Sequence, residues 1–294
     1  METYMVRLEK SLSKLSDVQV RVAQYMLDNL EKVVFMTIED IARETNVSPS
    51  TVVRLASALG FHGFTEMLNS LQDIVKERLI TPDELVSKYT ESAEQTVYDV
   101  FNETVEKDIS LIRHTLRGIT NEKIDTALTI LRDASRIAVI GLRSSYASAQ
   151  FAAHTLNEIL GNTTLLSLGY GSLPEEVMKF KNGDVLLAIS FPRYSKTTLN
   201  VVKLAHENGC KVISITDSIL SLLALYSDLV LPCQFRGLIV HNSIVPAISI
   251  INAITNSLGY ELEKNGKNFR ERLKTTDRIL KEWDTLIYTK RESE

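Results

Sequence analysis

Apolar residues in the first 120 positions recur every three or four residues, the spacing that lines one face of a helix. Beyond residue 120 the pattern changes. Short β-branched runs now alternate with helical stretches, as βαβ units and a parallel sheet require. The runs are 136–141 (RIAVIG), 163–168 (TTLLSL), 184–190 (DVLLAIS), 211–216 (KVISIT) and 228–232 (DLVLP). Helical patterns fill the gaps at 145–160, 173–180, 198–208 and 219–226, and a longer one covers 243–258. Asn208-Gly209 reads as a helix stop followed by a strand. Five parallel strands with helices on both faces predict a doubly wound, flavodoxin-like domain.

The strongest punctuation lies at 36–60 (MTIEDIARETNVSPSTVVRLASALG). Thr37 is placed to cap a short helix carrying Ile38, Ile41 and Ala42, and a turn follows at Thr45-Asn46-Val47. Ser48 then stands at an N-cap position, Pro49 at the first helical position and Gly60 at the far end. A short helix, a tight turn and a second capped helix form a helix-turn-helix. In the second helix Val52, Leu55, Ala56 and Leu59 make the inward stripe. Ser50, Thr51, Arg54 and Ser57 remain on the outward face, where a recognition helix meets base edges and phosphates. With Thr37 and Ser48 they are the candidate DNA contacts. Arg54 suits a guanine edge or a phosphate, and the small hydroxyls permit close approach. Periodicity alone equally allows a capped core helix with a solvated polar face. A preceding helix over 16–30 has Ser16 and Gln19 at capping-box spacing.

Between the two regions, 81–120 reads as helix, started at Pro82, with Val97, Phe101, Val105, Ile109, Ile112 and Leu116 on one stripe. It connects the two parts, and an alternative reading has it also transmit movement or dimerise. The tail, 261–294, is a charged amphipathic helix with the only tryptophan, Trp283, expected to pack on a domain or a partner subunit. The apolar stretch 244–254 suits a buried helix or a dimer face.

Charge complicates a nucleic-acid reading. The chain has 33 Lys and Arg against 37 Asp and Glu, a formal net charge of −4, whereas phosphate affinity comes from basic side chains. Residues 1–80 carry nine basic against eleven acidic residues. DNA binding must then rest on where charges sit and on the avidity of a dimer. No apolar run reaches the roughly 18–20 residues of a membrane helix, and Met1–Lys14 does not read as a secretory signal, which points to a cytoplasmic protein. Cys210 and Cys233 lack ligand spacing and sit at the edges of apolar runs, so ordinary packing is expected and neither a metal nor a cofactor.

The stretch VSPSTVVRLASALGFHGF (47–64) carries a family resemblance: residues 1–77 resemble the N-terminal domain of the RpiR/MurR regulators. That resemblance implies a winged or extended helical DNA-binding domain followed by a sugar-isomerase-type (SIS) domain. The fold class expected is therefore α/β, an all-α helix-turn-helix domain ahead of a five-stranded doubly wound sheet. The expected division is 1–77 helix-turn-helix domain, 78–120 helical linker, 121–262 SIS domain and 263–294 helical tail.

Ligands of open parallel sheets bind beyond the carboxyl ends of the strands, where helix N-termini offer free N–H groups. Gly141-Leu142-Arg143-Ser144-Ser145 follows the first strand, Ser190-Phe191-Pro192-Arg193-Tyr194-Ser195-Lys196-Thr197-Thr198 the third, and Thr216-Asp217-Ser218 the fourth. Hydroxyl-rich loops at three strand ends suit a polyol joined to a phosphate. The candidate ligand contacts are Arg143, Ser144, Ser145, Ser190, Arg193, Ser195, Thr198, Thr216, Ser218 and His241. Each serine or threonine has an alternative as a cap or turn former, and each arginine as a surface ion-pair partner. His241, ahead of the 243–258 helix, is read as a cap or core histidine, with closure of a neighbouring subunit's pocket as the alternative. The SIS resemblance implies a Ser-rich first loop and a Ser-x-Ser-Gly-x-Thr third loop. This chain departs from both, with Arg143 where glycine is common and a Pro-Arg-Tyr insertion before Ser195. Added arginines suit a more anionic ligand.

The reading is a transcription regulator bound to operator DNA as a homodimer or dimer of dimers, without a membrane, and controlled by a phosphosugar or acidic sugar. The alternative is an aldose–ketose isomerase, which needs a base beside the C1 and C2 protons. Glu175, Glu176 and His241 are the available groups, and none sits in a convincing catalytic motif, so no catalytic residue is expected.

Overall fold

The computed structural model describes residues 4–79, 86, 95–169, 172–219, 221–239, 241–266 and 269–283. Six helices come first: α1 Tyr4–Ser11, α2 Asp17–Asp28, α3 Leu30–Val33, α4 Ile38–Glu44, α5 Pro49–Ala58 and α6 Phe64–Leu79. Their apolar faces converge on one core that includes Tyr4, Leu8, Met26, Ile41, Leu55, Met67 and Leu71. Ser16 closes α2 with a reciprocal capping box to Gln19, satisfying N–H groups that the first helical turn leaves unpaired.

The stretch read as one helix over 81–120 contains α7, Val97–Arg117, which stops at Gly118. Pro82 lies outside the described residues. Thr96 caps α7 with Asp99 as its reciprocal partner, and Thr120 caps a further helix, α8, Asn121–Arg132. The sequence reading missed α8, although Ile124, Ala127, Leu128 and Leu131 repeat at helical spacing. On α7 the structure buries Leu111 and Thr115. Val97, Phe101 and Val105, on the apolar stripe read from the sequence, are 89%, 64% and 45% exposed. The C-terminal end of α7 is anchored: Gln234 N–H donates to Thr115 Oγ1 at 3.0 Å, and Pro232 lies against Gly118.

Next comes an alternation of β1 Arg136–Ile140, α9 Tyr146–Leu160, β2 Thr163–Leu166, α10 Ser172–Val177, β3 Asp184–Ile189, α11 Lys196–Glu207, β4 Lys211–Thr216 and β5 Leu229–Pro232. All neighbouring strands pair in parallel, in the order β2-β1-β3-β4-β5. This is the doubly wound arrangement expected, and strand order reverses between β1 and β3, the switch point where such sheets hold ligands. Every residue of β3 is buried, as a central strand covered on both faces should be. One face packs a core with Ile137, Val139, Leu187, Ile213 and Ile251, the other a core with Ala138, Leu186, Val202 and Val212.

In the segment read as helix over 219–226, the described residues form bends and turns, with a 3-10 turn at Ala224–Tyr226. Serine side chains there compete for backbone groups: Ser221 Oγ accepts from Ala224 N–H and Ser227 Oγ donates to the Leu223 carbonyl, which diverts the chain from an α-helix. Two further helices follow among the described residues, α12 Val245–Lys264 and α13 Phe269–Glu282. Arg272 on α13 donates to the Asn157 carbonyl of α9 at 3.1 Å, so this part of the tail packs on the sheet region. Trp283 is exposed.

Cys210 and Cys233 are both buried in the sheet's flanking cores. Burial pushes the Cys233 thiol up to about 12 and raises Cys210 as well, which disfavours the reactive thiolate.

Candidate functional site

Two surfaces carry the candidate chemistry. The first is built by α4, the turn after it and α5. Thr37 Oγ1 accepts from Asp40 N–H at 3.2 Å, while Asp40 Oδ2 accepts from Thr37 N–H at 3.1 Å. These bonds from Thr37, with Arg43 beside them, hold the Asp40 carboxyl below its ordinary value. Asn46 takes φ +52° in the turn, a left-handed conformation that Asn tolerates better than most side chains. Val47 N–H then returns to the Ala42 carbonyl at 2.9 Å, which locks α4 against the start of α5.

Ser48 occupies the N-cap position of α5, but its side chain does not close the helix end. Its hydroxyl instead meets those of Ser50 and Thr51 at 2.8 and 3.0 Å. An exposed hydroxyl cluster at an N-terminus without a side-chain cap offers donors to an approaching phosphate. Val52, Leu55 and Ala56 are buried, so the opposite face is committed to the core. Ser48, Ser50, Arg54 and Ser57 are exposed and Thr51 half-buried. Arg54 makes only long contacts to Ser50, at 3.3 and 3.4 Å, and its guanidinium stands over solvent. Thr37 is exposed at the start of the neighbouring helix.

The second surface is a cleft of about 270 Å³ at the carboxyl ends of β1 and β3. It is lined by Leu142, Arg143, Ser144 and Ser145 from the first loop, Ser190 through Arg193 and Ser195 from the third, and His241 and Asn242 from the segment before α12. Seven of the ten expected ligand contacts therefore come together. Thr198 is fully buried beside the cleft, its hydroxyl without a partner among the described residues. Thr216 and Ser218 do not line the cleft. Thr216 is buried and donates to Asp217 Oδ1 at 3.1 Å. The same carboxylate oxygen accepts from Tyr194 Oη, so Asp217 ties the third loop to the fourth.

His241 is neither core nor cap. It is exposed on the cleft, and Ile244 holds the N-cap position of α12. Gly237 makes this possible: a side chain there would overlap the His241 carbonyl, so only glycine lets the two backbone segments cross so closely. The apolar walls, Leu142, Phe191 and Pro192, were not among the expected contacts. Phe191 stacks on Phe235 at 5.4 Å; the reading weighed polar groups alone, and only its place beside Ser190 pointed to it.

The floor and the rim of the cleft differ. Ser145 and Ser190 are each 5% exposed, and neither hydroxyl has a hydrogen-bond partner among the described residues. Ser195 caps α11 by accepting from Thr198 N–H at 3.3 Å, which aims that helix's N-terminal end at the same space. Arg143 and Arg193 are exposed at the rim, with φ of +58° and +67°. No carboxylate is among the described lining residues.

Glu176, one of the possible isomerase bases, pairs with Lys179 and with Arg136. Arg136 opens β1 at the amino edge of the sheet, roughly 16 Å of strand away from the cleft. The Lys179 hydrogen bond holds Glu176 below its ordinary value, the opposite of what a base poised near neutrality needs. Glu175 is exposed on α10 and does not line the cleft. A larger hollow, about 470 Å³, between α9, α12 and α13 includes Glu158 and Glu263 and lies away from the strand ends.

Residues 2–77 match the helix-turn-helix domain of the rpiR family and residues 130–257 the SIS domain. An HTH-type transcriptional regulator of Clostridium perfringens is 23% identical over 278 residues, covering 93% of this chain and 98% of its own. A second such regulator, of Thermotoga maritima, is 25% identical and covers 76% of this chain and 79% of its own. Among solved structures, the sugar isomerase domain of an RpiR transcription factor from Sphaerobacter thermophilus superposes with a TM-score of 0.56 at 27% identity, over 60% of this chain and 97% of its own. The Vibrio vulnificus NanR protein, solved with ManNAc-6P, gives 0.55 at 21% identity over 95% of this chain and 98% of its own, a likeness of fold. No described helix is long and apolar enough to cross a membrane. With α4 and α5 in one matched region and the strand-end cleft in the other, the chain belongs to the RpiR family of helix-turn-helix transcriptional regulators.

Proposed function

We propose that the strand-end cleft is the control site of this regulator and that its effector is a phosphorylated sugar. The observation that carries the proposal is the lining itself. Buried, unpartnered hydroxyls and a helix N-terminus face a cleft with no described carboxylate, an arrangement suited to holding a phosphate and a polyol, and of the three possible isomerase bases only His241 lines it. The complex of NanR with ManNAc-6P supports the same ligand class.

On the DNA side, Ser48, Ser50, Thr51, Arg54 and Ser57 meet the duplex, with Thr37 contacting phosphate from α4. The protein acts in the cytoplasm as a homodimer, its two recognition helices reading two half-sites, and the exposed stripe of α7 supports self-association. Its working division is 1–77 for DNA, 78–120 as linker, 121–262 for effector and 263–294 as tail. The effector need only bind one arrangement of the dimer more tightly, and a coupling of about 1–3 kcal/mol changes operator affinity roughly 5- to 150-fold.

The test is quantitative binding of the full chain to the DNA flanking its own gene, titrated with a panel of sugar phosphates. At least one should shift operator affinity fivefold or more. Operator binding that no panel member alters, with no panel member bound, would overturn the control-site reading.

A further inference from the structure

We infer that the effector carries two anionic groups at opposite ends of one polyol chain, that is, a phosphorylated sugar acid rather than a neutral or amino sugar phosphate. The inference rests on the cleft being a sugar-phosphate site and narrows its ligand class.

Depth is the first argument. The floor donors, Ser145 and Ser190, are buried and unpartnered, while both guanidiniums stand at the rim. One anion among the floor hydroxyls and the N-terminal end of α11 needs no guanidinium, because neutral donors at helix starts hold phosphate well. The two arginines, exposed where the floor serines are buried, are then surplus to a single anion.

Backbone geometry is the second. Among the described residues only three non-glycines have positive φ, and two of them are Arg143 and Arg193. Glycine would sit there without strain, so the loops hold arginine against the local preference. Such strain concentrates at ligand-binding positions. The clamp of Tyr194 onto Asp217 fixes the residue next to Arg193, so the third loop presents its guanidinium from a tethered frame.

Charge is the third. Neither guanidinium has an ion pair or hydrogen bond among the described residues, and no described lining residue is acidic. Two planar forks on adjacent strand ends with nothing to neutralise them suit a carboxylate, which guanidinium groups bind in bidentate fashion.

Calorimetric titration of the full chain with matched pairs tests this: erythrose 4-phosphate and 4-phosphoerythronate, ribose 5-phosphate and 5-phosphoribonate, glucose 6-phosphate and 6-phosphogluconate. Within each pair the carbon chain and the phosphate are the same and C1 passes from aldehyde to carboxylate; the matching alditol phosphate, open-chain but without the carboxylate, controls for loss of the sugar ring and should bind no more tightly than the aldose phosphate. At least one aldonate should bind ten times more tightly than its aldose partner. Arg143→Gly and Arg193→Gly, which suit the left-handed backbone and so avoid a folding defect, should each bring that ratio to within threefold of unity. If no aldonate outbinds its partner while some aldose phosphate binds, the inference fails and the sugar-phosphate reading survives. If no phosphorylated compound binds, both fail. A preference that persists in both glycine variants also overturns the inference.

Discussion

Gly141 lies where β1 hands over to the first loop, and replacing it with alanine tests the geometry of the cleft floor. A Cβ there would stand 2.6 Å from the Ser145 carbonyl oxygen and 2.9 Å from Ala149 Cβ. Neither neighbour is a flexible side-chain end, since one is backbone and the other is fully buried at the start of α9. Restoring ordinary contact at about 3.4 Å moves the start of α9 away from β1 by roughly 0.8 Å. Overpacking of this kind costs about 1–3 kcal/mol. At roughly 2–4 °C per kcal/mol for a region of this size, the thermal midpoint of Gly141→Ala should fall by about 2–12 °C. The same displacement carries Ser144 and Ser145, and a hydrogen bond near 2.8 Å lengthened by 0.8 Å is no longer one. Losing one charge-assisted bond of about 1.5–3 kcal/mol weakens effector binding roughly 10- to 150-fold. Operator affinity without effector should be unchanged, because α5 belongs to a different core. Scanning calorimetry and titration with whichever sugar phosphate binds the wild type provide the readout. A midpoint within 1 °C of wild type together with an affinity within twofold would refute the reasoning.

Arg54→Ala removes an exposed side chain with only long contacts to Ser50, so stability should stay within about 0.5 kcal/mol. A lost base contact of about 1–3 kcal/mol in each half of a dimer site should weaken operator binding from about 30-fold to over 10,000-fold, measured by gel retardation. Gly237→Ala must push the His241 backbone aside and should lower effector affinity at least tenfold, with an overpacking cost of about 1–3 kcal/mol that lowers the midpoint by about 2–12 °C. Asp228 concerns pH. Although burial raises its carboxyl, hydrogen bonds from Lys211 and Val212 N–H, with the charges of Lys211 and His206, hold it below its ordinary value. A depressed folded value contributes stability above the unfolded value and loses it as pH falls through the folded one. Wild type should therefore exceed Asp228→Asn in midpoint at pH 7, and the gap should close below about pH 4; a constant gap from pH 7 to pH 3 would contradict this.

Much of the fold was legible because both periods are strong. The five β-branched runs mark the strands to within two residues, and Thr37, Ser48-Pro49 and Gly60 bracket α4 and α5. What sequence spacing did not convey is which partner a residue chooses. The threonine at 216 has the right loop position for a ligand contact, yet its hydroxyl is taken by Asp217. Ser48 has the right residue type for a cap, yet it bonds laterally to Ser50 and Thr51. The stripe on α7 has core periodicity, but only its C-terminal turns meet a core within the chain. His241 enters the cleft through a crossing that depends on Gly237, a contact between backbone segments that no periodicity encodes.

The anchorage of α7 at Thr115 and Gly118 places its root beside Pro232 and Gln234, on the same sheet edge that bears the cleft. With 21 residues the helix is about 30 Å long. Each degree of rotation about that pivot sweeps its far end through roughly half an ångström, so an adjustment of a few degrees suffices to shift whatever it carries by more than the tolerance of a hydrogen bond. By geometry alone, a rod of this length pivoted there would turn a sub-ångström rearrangement near the strand ends into a displacement of several ångströms at its far end.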